Sequence, residues 1–138
     1  MNRFVKLDAA DQPLPQDAQE WVGVLDTQLN LIWDKDHLPK EMTQKQAEAA
    51  VKKAKGGRRL PTVEELFLLA DRTRYRPAAY TEFFPDTASD WYRTSSPFVG
   101  AAGYSWIVSF LSGYSLDVPR DGGAFVRLVR SAPSVPGQ

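Results

Sequence analysis

The sequence predicts an α+β fold, in which helices and antiparallel strands occupy separate stretches of the chain. Three observations lead to this prediction. Two helix-start signals lie close together near the middle of the chain, strand-like segments stand on both sides of them, and turn residues join the later strands. With 138 residues, of which 43% are apolar, the chain is long enough for one domain with its own core. We therefore expect a single domain over residues 1–130.

Three segments before the helices are predicted to be strands. Residues 4–7 form the first, and residues 21–26 and 29–34 form a hairpin that turns at Thr27 and Gln28. After the helices, four further strands are predicted to form an antiparallel meander, over residues 91–95, 104–111, 114–118 and 124–129. The last stretch, 131–138, contains two prolines and is predicted to be a flexible tail.

The first helix is predicted over residues 44–55. Thr43 and Gln46 have the spacing of a capping box, in which each side chain accepts a hydrogen bond from the other residue's backbone N–H. Gly56 and Gly57 are predicted to end this helix, because glycine readily takes the left-handed conformation of a helix C-terminus.

The second helix is predicted over residues 63–71. Thr62 and Glu65 form a second capping box, and the helix dipole favours a carboxylate in the first turn. Six apolar side chains follow, which are Val63, Leu66, Phe67, Leu68, Leu69 and Ala70. They cover a wide arc of the helix, so we expect the helix to be covered on more than one side.

Composition excludes several classes of function. Lysine plus arginine (17) equals aspartate plus glutamate (17), so no net charge favours nucleic acid or an anionic membrane. The chain has no cysteine and a single histidine, His37, which excludes thiol catalysis, cysteine-based zinc sites and sites with two histidines from one chain. We expect no metal and no cofactor.

Targeting signals are also missing from the sequence. No apolar stretch is long enough to span a bilayer, and the first residues lack the apolar core of a signal peptide. The expectation is a protein without membrane insertion that is cytoplasmic at synthesis, with association with a virion as a further expectation.

Several short motifs follow one another in a familiar order. They are Leu31-Ile32-Trp33, Arg59-Leu60-Pro61-Thr62 with Glu65-Leu66, Phe83-Phe84-Pro85, Trp91 with Thr94-Ser95, Trp106-Ile107-Val108-Ser109-Phe110 with Gly113, and Val126-Arg127-Leu128-Val129-Arg130. Over residues 22–130, this order resembles the DUF1566 family, also called the Lcl C-terminal domain. Arg58 departs from the pattern, because the family often has an aromatic residue before Arg-Leu-Pro.

The resemblance implies a C-type-lectin-like fold, with two helices packed on twisted antiparallel strands and long loops that face a ligand. Related proteins include bacterial and phage surface modules, and a collagen-like adhesin whose C-terminal domain trimerises and binds sulfated glycans. The partners implied are a glycan or a cell-surface protein, and the implied assembly is a homotrimer.

Six residues are candidate ligand contacts, namely Arg58, Tyr92, Arg93, Asp117, Arg120 and Asp121. A tyrosine ring can stack on a sugar, and arginine and aspartate supply directional hydrogen bonds. The neighbouring Trp91 is expected in the core instead. The alternative for each candidate is an ordinary solvated surface side chain.

Two further alternatives stay open. The aspartates in 117–123 could bind calcium together with Asp86 or Asp90, although turn aspartates are commonly solvated. The basic cluster in 52–59 could bind phosphate or sulfate groups, or its cations could simply favour the C-terminal end of a helix. Arg59 is expected to be structural, and Arg127 to be partly buried and paired with a carboxylate such as Glu65.

The leading hypothesis is a non-catalytic recognition module, of phage or prophage type, that binds a surface glycan or a protein partner. The first alternative is a structural or assembly subunit that forms a homo-oligomer or joins a larger particle. The second is an enzyme of unknown type, which the sequence disfavours because His37 lies in a charged loop and no nucleophile motif is present.

Overall fold

A computed structural model describes residues 2–133 of the chain. Within those residues it contains two helices, α1 (Gln44–Lys53) and α2 (Val63–Leu69), and seven strands. The strands are β1 (Phe4–Leu7), β2 (Gly23–Asp26), β3 (Leu31–Asp34), β4 (Trp91–Pro97), β5 (Tyr104–Ser109), β6 (Ser115–Pro119) and β7 (Val129–Ser131). This arrangement confirms the predicted α+β class, with two helices and antiparallel strands.

The strands form two antiparallel sheets. One has the order β1-β2-β3-β7 and brings together the two ends of the described chain, and the other has the order β4-β5-β6. The sheet of β4 to β6 is a simple meander, as the turn residues predicted. The more specific C-type-lectin-like arrangement remains a prediction.

The predicted hairpin is present and turns between Asp26 and Leu31, which face each other across β2 and β3. Its stability rests on the fully buried carboxylate of Asp26. Arg3 donates to this carboxylate at 2.9 and 3.0 Å, and the Trp33 indole N–H donates at 3.2 Å. A buried charge with a cation and several donors around it is compensated, so the turn is held firmly.

Both predicted capping boxes form, at Thr43 with Gln46 and at Thr62 with Glu65. The first helix ends earlier than predicted, because Ala54 already has an extended backbone with φ −74° and ψ 148°. The left-handed glycines, Gly56 and Gly57, therefore belong to the turn that follows the helix and do not cap it.

Helix α2 packs on the core through one side only. Leu66 and Leu69 are buried in the largest apolar cluster, between the two sheets, whereas Phe67 is 38% exposed and Leu68 is 44% exposed. The prediction that this helix is covered on more than one side is wrong. The side of α2 that carries Phe67 and Leu68 is therefore left partly uncovered.

The predicted last strand, residues 124–129, is instead a connecting segment between the two sheets. Phe125 exchanges backbone hydrogen bonds with Trp91 and Arg93 at 2.9 and 2.8 Å, and Val129 exchanges them with Arg59 at 3.0 and 2.8 Å. Strand β7 then continues to Ser131, one residue past the predicted end of the domain. Of the predicted tail, residues 134–138 lie outside the described residues.

Candidate functional site

Tyr92 and Arg93 are almost completely buried, so the expectation that they lie on the surface is wrong. The reason is the position of β4, which lies between β5 and the segment around Phe125. The Tyr92 ring packs edge-on against Phe110 with ring centres 5.0 Å apart, and its hydroxyl accepts a hydrogen bond from the Ala88 N–H at 3.0 Å. Burial raises the pKa of the Tyr92 hydroxyl above its ordinary value. Both side chains therefore belong to the core and do not form a ligand-binding surface.

Arg127 is buried and paired, as predicted, but its partner differs. It donates to Asp86 at 2.9 Å, whereas Glu65 pairs with Arg59 at 2.7 Å. Asp86 also accepts a hydrogen bond from the His37 backbone N–H at 2.8 Å. These contacts give Arg59 and Arg127 structural roles and occupy the Asp86 carboxylate that was considered for calcium.

Arg58 and the 117–121 candidates lie in different parts of the fold. Arg58 sits beside the four-stranded sheet, where its Nε donates to both carboxylate oxygens of Asp34 at 3.0 and 3.1 Å. Asp117 lies on β6 and is half-buried, and Asp121 is exposed in the following turn. Arg120 reaches towards α1, where it pairs with Glu48 at 3.2 Å. The six candidates therefore do not form one site.

A cluster of aromatic side chains lies near one of the candidates, Asp117. Trp106 on β5 stands directly opposite Asp117 on β6, and Tyr104 lies two residues earlier on the same face of β5. Phe98, in the loop before β5, packs edge-on against Trp106 with ring centres 5.4 Å apart. We call Phe98, Tyr104, Trp106 and Asp117 the aromatic surface.

The aromatic surface is open to solvent at one end. Tyr104 is 39% exposed, and Val99, at the tip of the adjoining loop, is 99% exposed. Phe98 and Trp106 are half-buried, so their rings are held in place and still partly accessible. Fixed, partly exposed rings beside a carboxylate can stack on a flat apolar ligand face and accept hydrogen bonds from its hydroxyl groups.

One sequence feature marks this region. No charged residue occurs from 94 to 116, although a quarter of the whole chain is charged. That stretch contains the loop before β5 and three of the four members of the aromatic surface. The alternation of Tyr104 with Trp106 predicted their shared face correctly, but the sequence did not show that this face stays partly uncovered.

A second apolar feature lies next to the aromatic surface. The uncovered side of α2 and the start of β6 form a shallow groove of about 380 Å³, lined by Val63, Glu64, Phe67, Leu68 and Ser115. We call it the α2 groove. Arg72 lies over the Phe67 ring at 3.5 Å and donates to the Gly113 carbonyl at 2.6 Å, so a cation covers part of one edge.

Among residues 2–133, no three histidine, aspartate or glutamate side chains come together in a way that could hold a metal ion. The same residues include no helix with the length and apolar character that crossing a membrane requires.

The family comparison fits the motif order in the sequence. The model of the Lcl C-terminal domain matches residues 23–130, which is most of the chain. The match begins at β2 and ends within β7, so it includes both helices and the aromatic surface. Among curated proteins, none matches this chain.

Proposed function

The chain belongs to the Lcl C-terminal domain family, and on that premise we propose that it is a non-catalytic recognition module that binds a carbohydrate at the aromatic surface. The observation that carries the proposal is the placement of Tyr104, Trp106 and Asp117 on one face, with both rings partly exposed. The C-type-lectin-like fold, which we also propose, agrees with this use of the region.

Sugar chemistry suits this surface. The C–H face of a pyranose ring packs on an aromatic ring, and an aspartate accepts hydrogen bonds from neighbouring hydroxyl groups. Trp106 and Tyr104 supply the rings, and Asp117 supplies the carboxylate on the adjacent strand. Residues 94–116 contain no charged side chain, which favours a neutral glycan over a highly charged one. A surface glycan of this kind agrees with a phage or bacterial recognition role.

The test is a glycan array with the intact protein, followed by titration of the best glycan by calorimetry. We expect Tyr104→Ala and Asp117→Asn to weaken binding strongly while the fold is retained. Tyr75→Ala is the matched control, because Tyr75 is an exposed tyrosine outside the aromatic surface. If the array finds no glycan, or if Tyr104→Ala and Tyr75→Ala bind equally well, the proposal is wrong.

The α2 groove supports a second candidate function, which is assembly with further copies of the chain. Phe67 and Leu68 are apolar and exposed on the same helix, and such groups become buried when subunits associate. A homotrimer agrees with the assembly implied by the family resemblance. Sedimentation of the intact protein tests this candidate.

A further inference from the structure

A separate cleft lies on the other sheet, away from β4 to β6. It has a volume of about 380 Å³, and its wall contains two arginines, two aspartates and two aliphatic side chains, which are Arg58, Arg130, Asp11, Asp34, Val22 and Ile32. Arg130 on β7 stands directly opposite Ile32 on β3, so the charged wall borders an apolar floor. The site proposed above uses none of these residues.

The floor of the cleft lies beside Gly23, where β2 contributes no side chain. A Cβ placed there would lie 3.4 Å from Cγ2 of Ile32 and 3.9 Å from Cβ of Leu7, so any larger residue would fill the space above Ile32. Glycine inside a strand commonly marks a close approach by another group. Here the exposed Val22 beside Gly23 is available to an apolar part of a ligand, whereas Ile32 is only 3% exposed and lies beneath the wall.

Arg130, a residue of the cleft wall, has a hydrogen-bond donor that is shielded from water and unused. Its Nε has no hydrogen-bond partner among residues 2–133, although buried donors normally have one. The neighbouring Nη2 donates to one oxygen of Asp11 at 2.5 Å. Asp11 is 41% exposed and holds Arg130 through a single contact, so this pair is weak and replaceable.

The Nε–Nη2 edge of a guanidinium matches a carboxylate, which can accept from both nitrogens at once. Asp34 accepts from Arg58 in this cleft with both of its oxygens, at 3.0 and 3.1 Å. The two arginines and two aspartates balance in charge, which favours a ligand with one carboxylate over a dianionic phosphate that would bring two uncompensated charges.

We infer that this cleft binds a small carboxylate-bearing ligand. The ligand carboxylate replaces Asp11 on Arg130 Nη2 and also accepts from Nε, and its apolar part lies on the exposed Val22. Two kinds of ligand carry such a carboxylate, namely an acidic sugar and the C-terminus of a peptide. This site is independent of carbohydrate binding at the aromatic surface.

The test uses two pairs of probes that differ only in the carboxylate, glucuronate against glucose and N-acetylglycine against its amide. Each is titrated into the intact ¹⁵N-labelled protein, and the Arg130 Nε–H and Gly23 N–H signals are followed. We expect at least one carboxylate probe to shift both signals to saturation, and its neutral counterpart to leave them in place. Whichever acid binds identifies the source.

Three variants make the test specific. Arg130→Gln should abolish the shift of the Gly23 N–H signal, and Arg74→Gln, which alters a more exposed arginine paired elsewhere, should keep it. Asp11→Asn should bind up to about fivefold more tightly, because an exposed competing ion pair is removed. Asn is suited to the left-handed backbone of this residue, with φ 61°, so the fold should be retained.

The inference is overturned if neither acid binds, or if the neutral probes shift the same signals equally. It is also overturned if the Gly23 N–H signal of a folded Arg130→Gln variant shifts as in the unaltered protein. Should Arg130→Gln fail to fold, Asp11→Asn decides alone, since a purely structural pair predicts no gain in affinity when its carboxylate is removed.

Discussion

Arg93 donates a hydrogen bond from Nη1 to Oε1 of Gln44 at 2.9 Å, and both side chains are almost completely buried. The remaining donors of Arg93 meet the Met42 carbonyl at 3.1 Å, the Ser105 hydroxyl at 3.3 Å and the Gly122 carbonyl. Among residues 2–133, no carboxylate pairs with this arginine. Neutral oxygens from α1, β5 and the turn after β6 therefore satisfy a buried cation, and desolvation lowers its pKa.

This network predicts that Arg93 controls stability. In Arg93→Ala, several buried oxygens lose their donors, and we expect the free energy of unfolding to fall by about 3 kcal/mol or more. Arg93→Lys keeps the charge but offers fewer donors in the wrong geometry, so its loss should be smaller. Chemical denaturation measures both.

The matched control is Arg74→Ala, because Arg74 is itself partly exposed and pairs with the exposed Glu82 and with the largely buried Asp71, which keeps two hydrogen bonds from Thr73. Exposed pairs contribute about 0–1 kcal/mol to stability, so the free energy of unfolding of this variant should stay close to that of the unaltered protein. Equal losses in Arg93→Ala and Arg74→Ala would contradict the role assigned to the buried network.

Glycine substitutions separate backbone strain from steric contact. Gly113 has φ +92°, and a Cβ there would lie 2.9 Å from Cγ of Arg72, whereas Gly57 has φ +77° and open space around it. Gly103 has open space and no positive φ. Gly103→Ala should change the free energy of unfolding by less than about 0.5 kcal/mol. Gly57→Ala should lower it by about 1 kcal/mol, and Gly113→Ala should lower it further.

Thermal denaturation of the three variants under one buffer condition checks this order. The same Ala side chain is added in every case, so only the local backbone and the neighbours differ. A Gly113→Ala protein as stable as Gly103→Ala would show that Arg72 moves away without loss, and that the Arg72 contact with Phe67 is dispensable.

Two glutamates should titrate below their ordinary range. Hydrogen bonding to Arg74 lowers the pKa of Glu82 to about 2, and hydrogen bonding to Arg59 lowers the pKa of Glu65. A carboxyl pKa that is lower in the folded state stabilises the fold above the unfolded pKa, and this contribution is lost as the pH falls through the folded pKa. The stabilisation contributed by Glu82 is therefore lost as the pH falls from about 4.5 towards 2.

NMR titration of the glutamate side-chain carboxyl carbons measures both pKa values. Arg74→Gln should return Glu82 towards its ordinary value and leave Glu65 unchanged, and Arg59→Gln should do the reverse. Because Glu82 is mostly exposed, its effect on the unfolding free energy at acid pH should be small despite the large shift. A pKa for Glu82 that is unaffected by Arg74→Gln would contradict the assignment.

The sequence was most informative where a local rule determines the structure. The capping boxes at Thr43 and Thr62 depend on residues three positions apart, and both formed as predicted. The burial of Tyr92 and Arg93 could not be predicted in this way. It depends on the segment around Phe125, which lies more than thirty residues further along the chain and covers β4.

The candidate sites also differ in whether a local pattern or a contact between distant residues determines them. Arg58 and Asp117 were identified from residue type, and each lies beside a feature that could bind a ligand, although on different sheets. The contribution of Arg130 depends on its register opposite Ile32 and on the missing side chain at Gly23, which only the assembled sheet reveals. Periodicity likewise placed Phe67 and Leu68 on a helix without showing that this side is left uncovered.

The uncovered side of α2 leads to a prediction about assembly. If copies of the chain associate through the α2 groove, sedimentation velocity should show an oligomer that dissociates on dilution. Leu68→Glu should shift the protein to monomer, because a carboxylate would become buried in an apolar contact. Leu68 is already 44% exposed, so the stability of the single chain should change little.

Val99→Glu is the matched control, since it adds the same charge at a side chain that is 99% exposed and outside the groove. An oligomer that survives Val99→Glu and is lost in Leu68→Glu assigns the contact to the α2 groove. If the unaltered protein is monomeric at every concentration, assembly through this groove is ruled out, and the exposed Phe67 and Leu68 require a different partner. If both variants dissociate the oligomer, added charge alone is the cause, and the contact surface lies elsewhere.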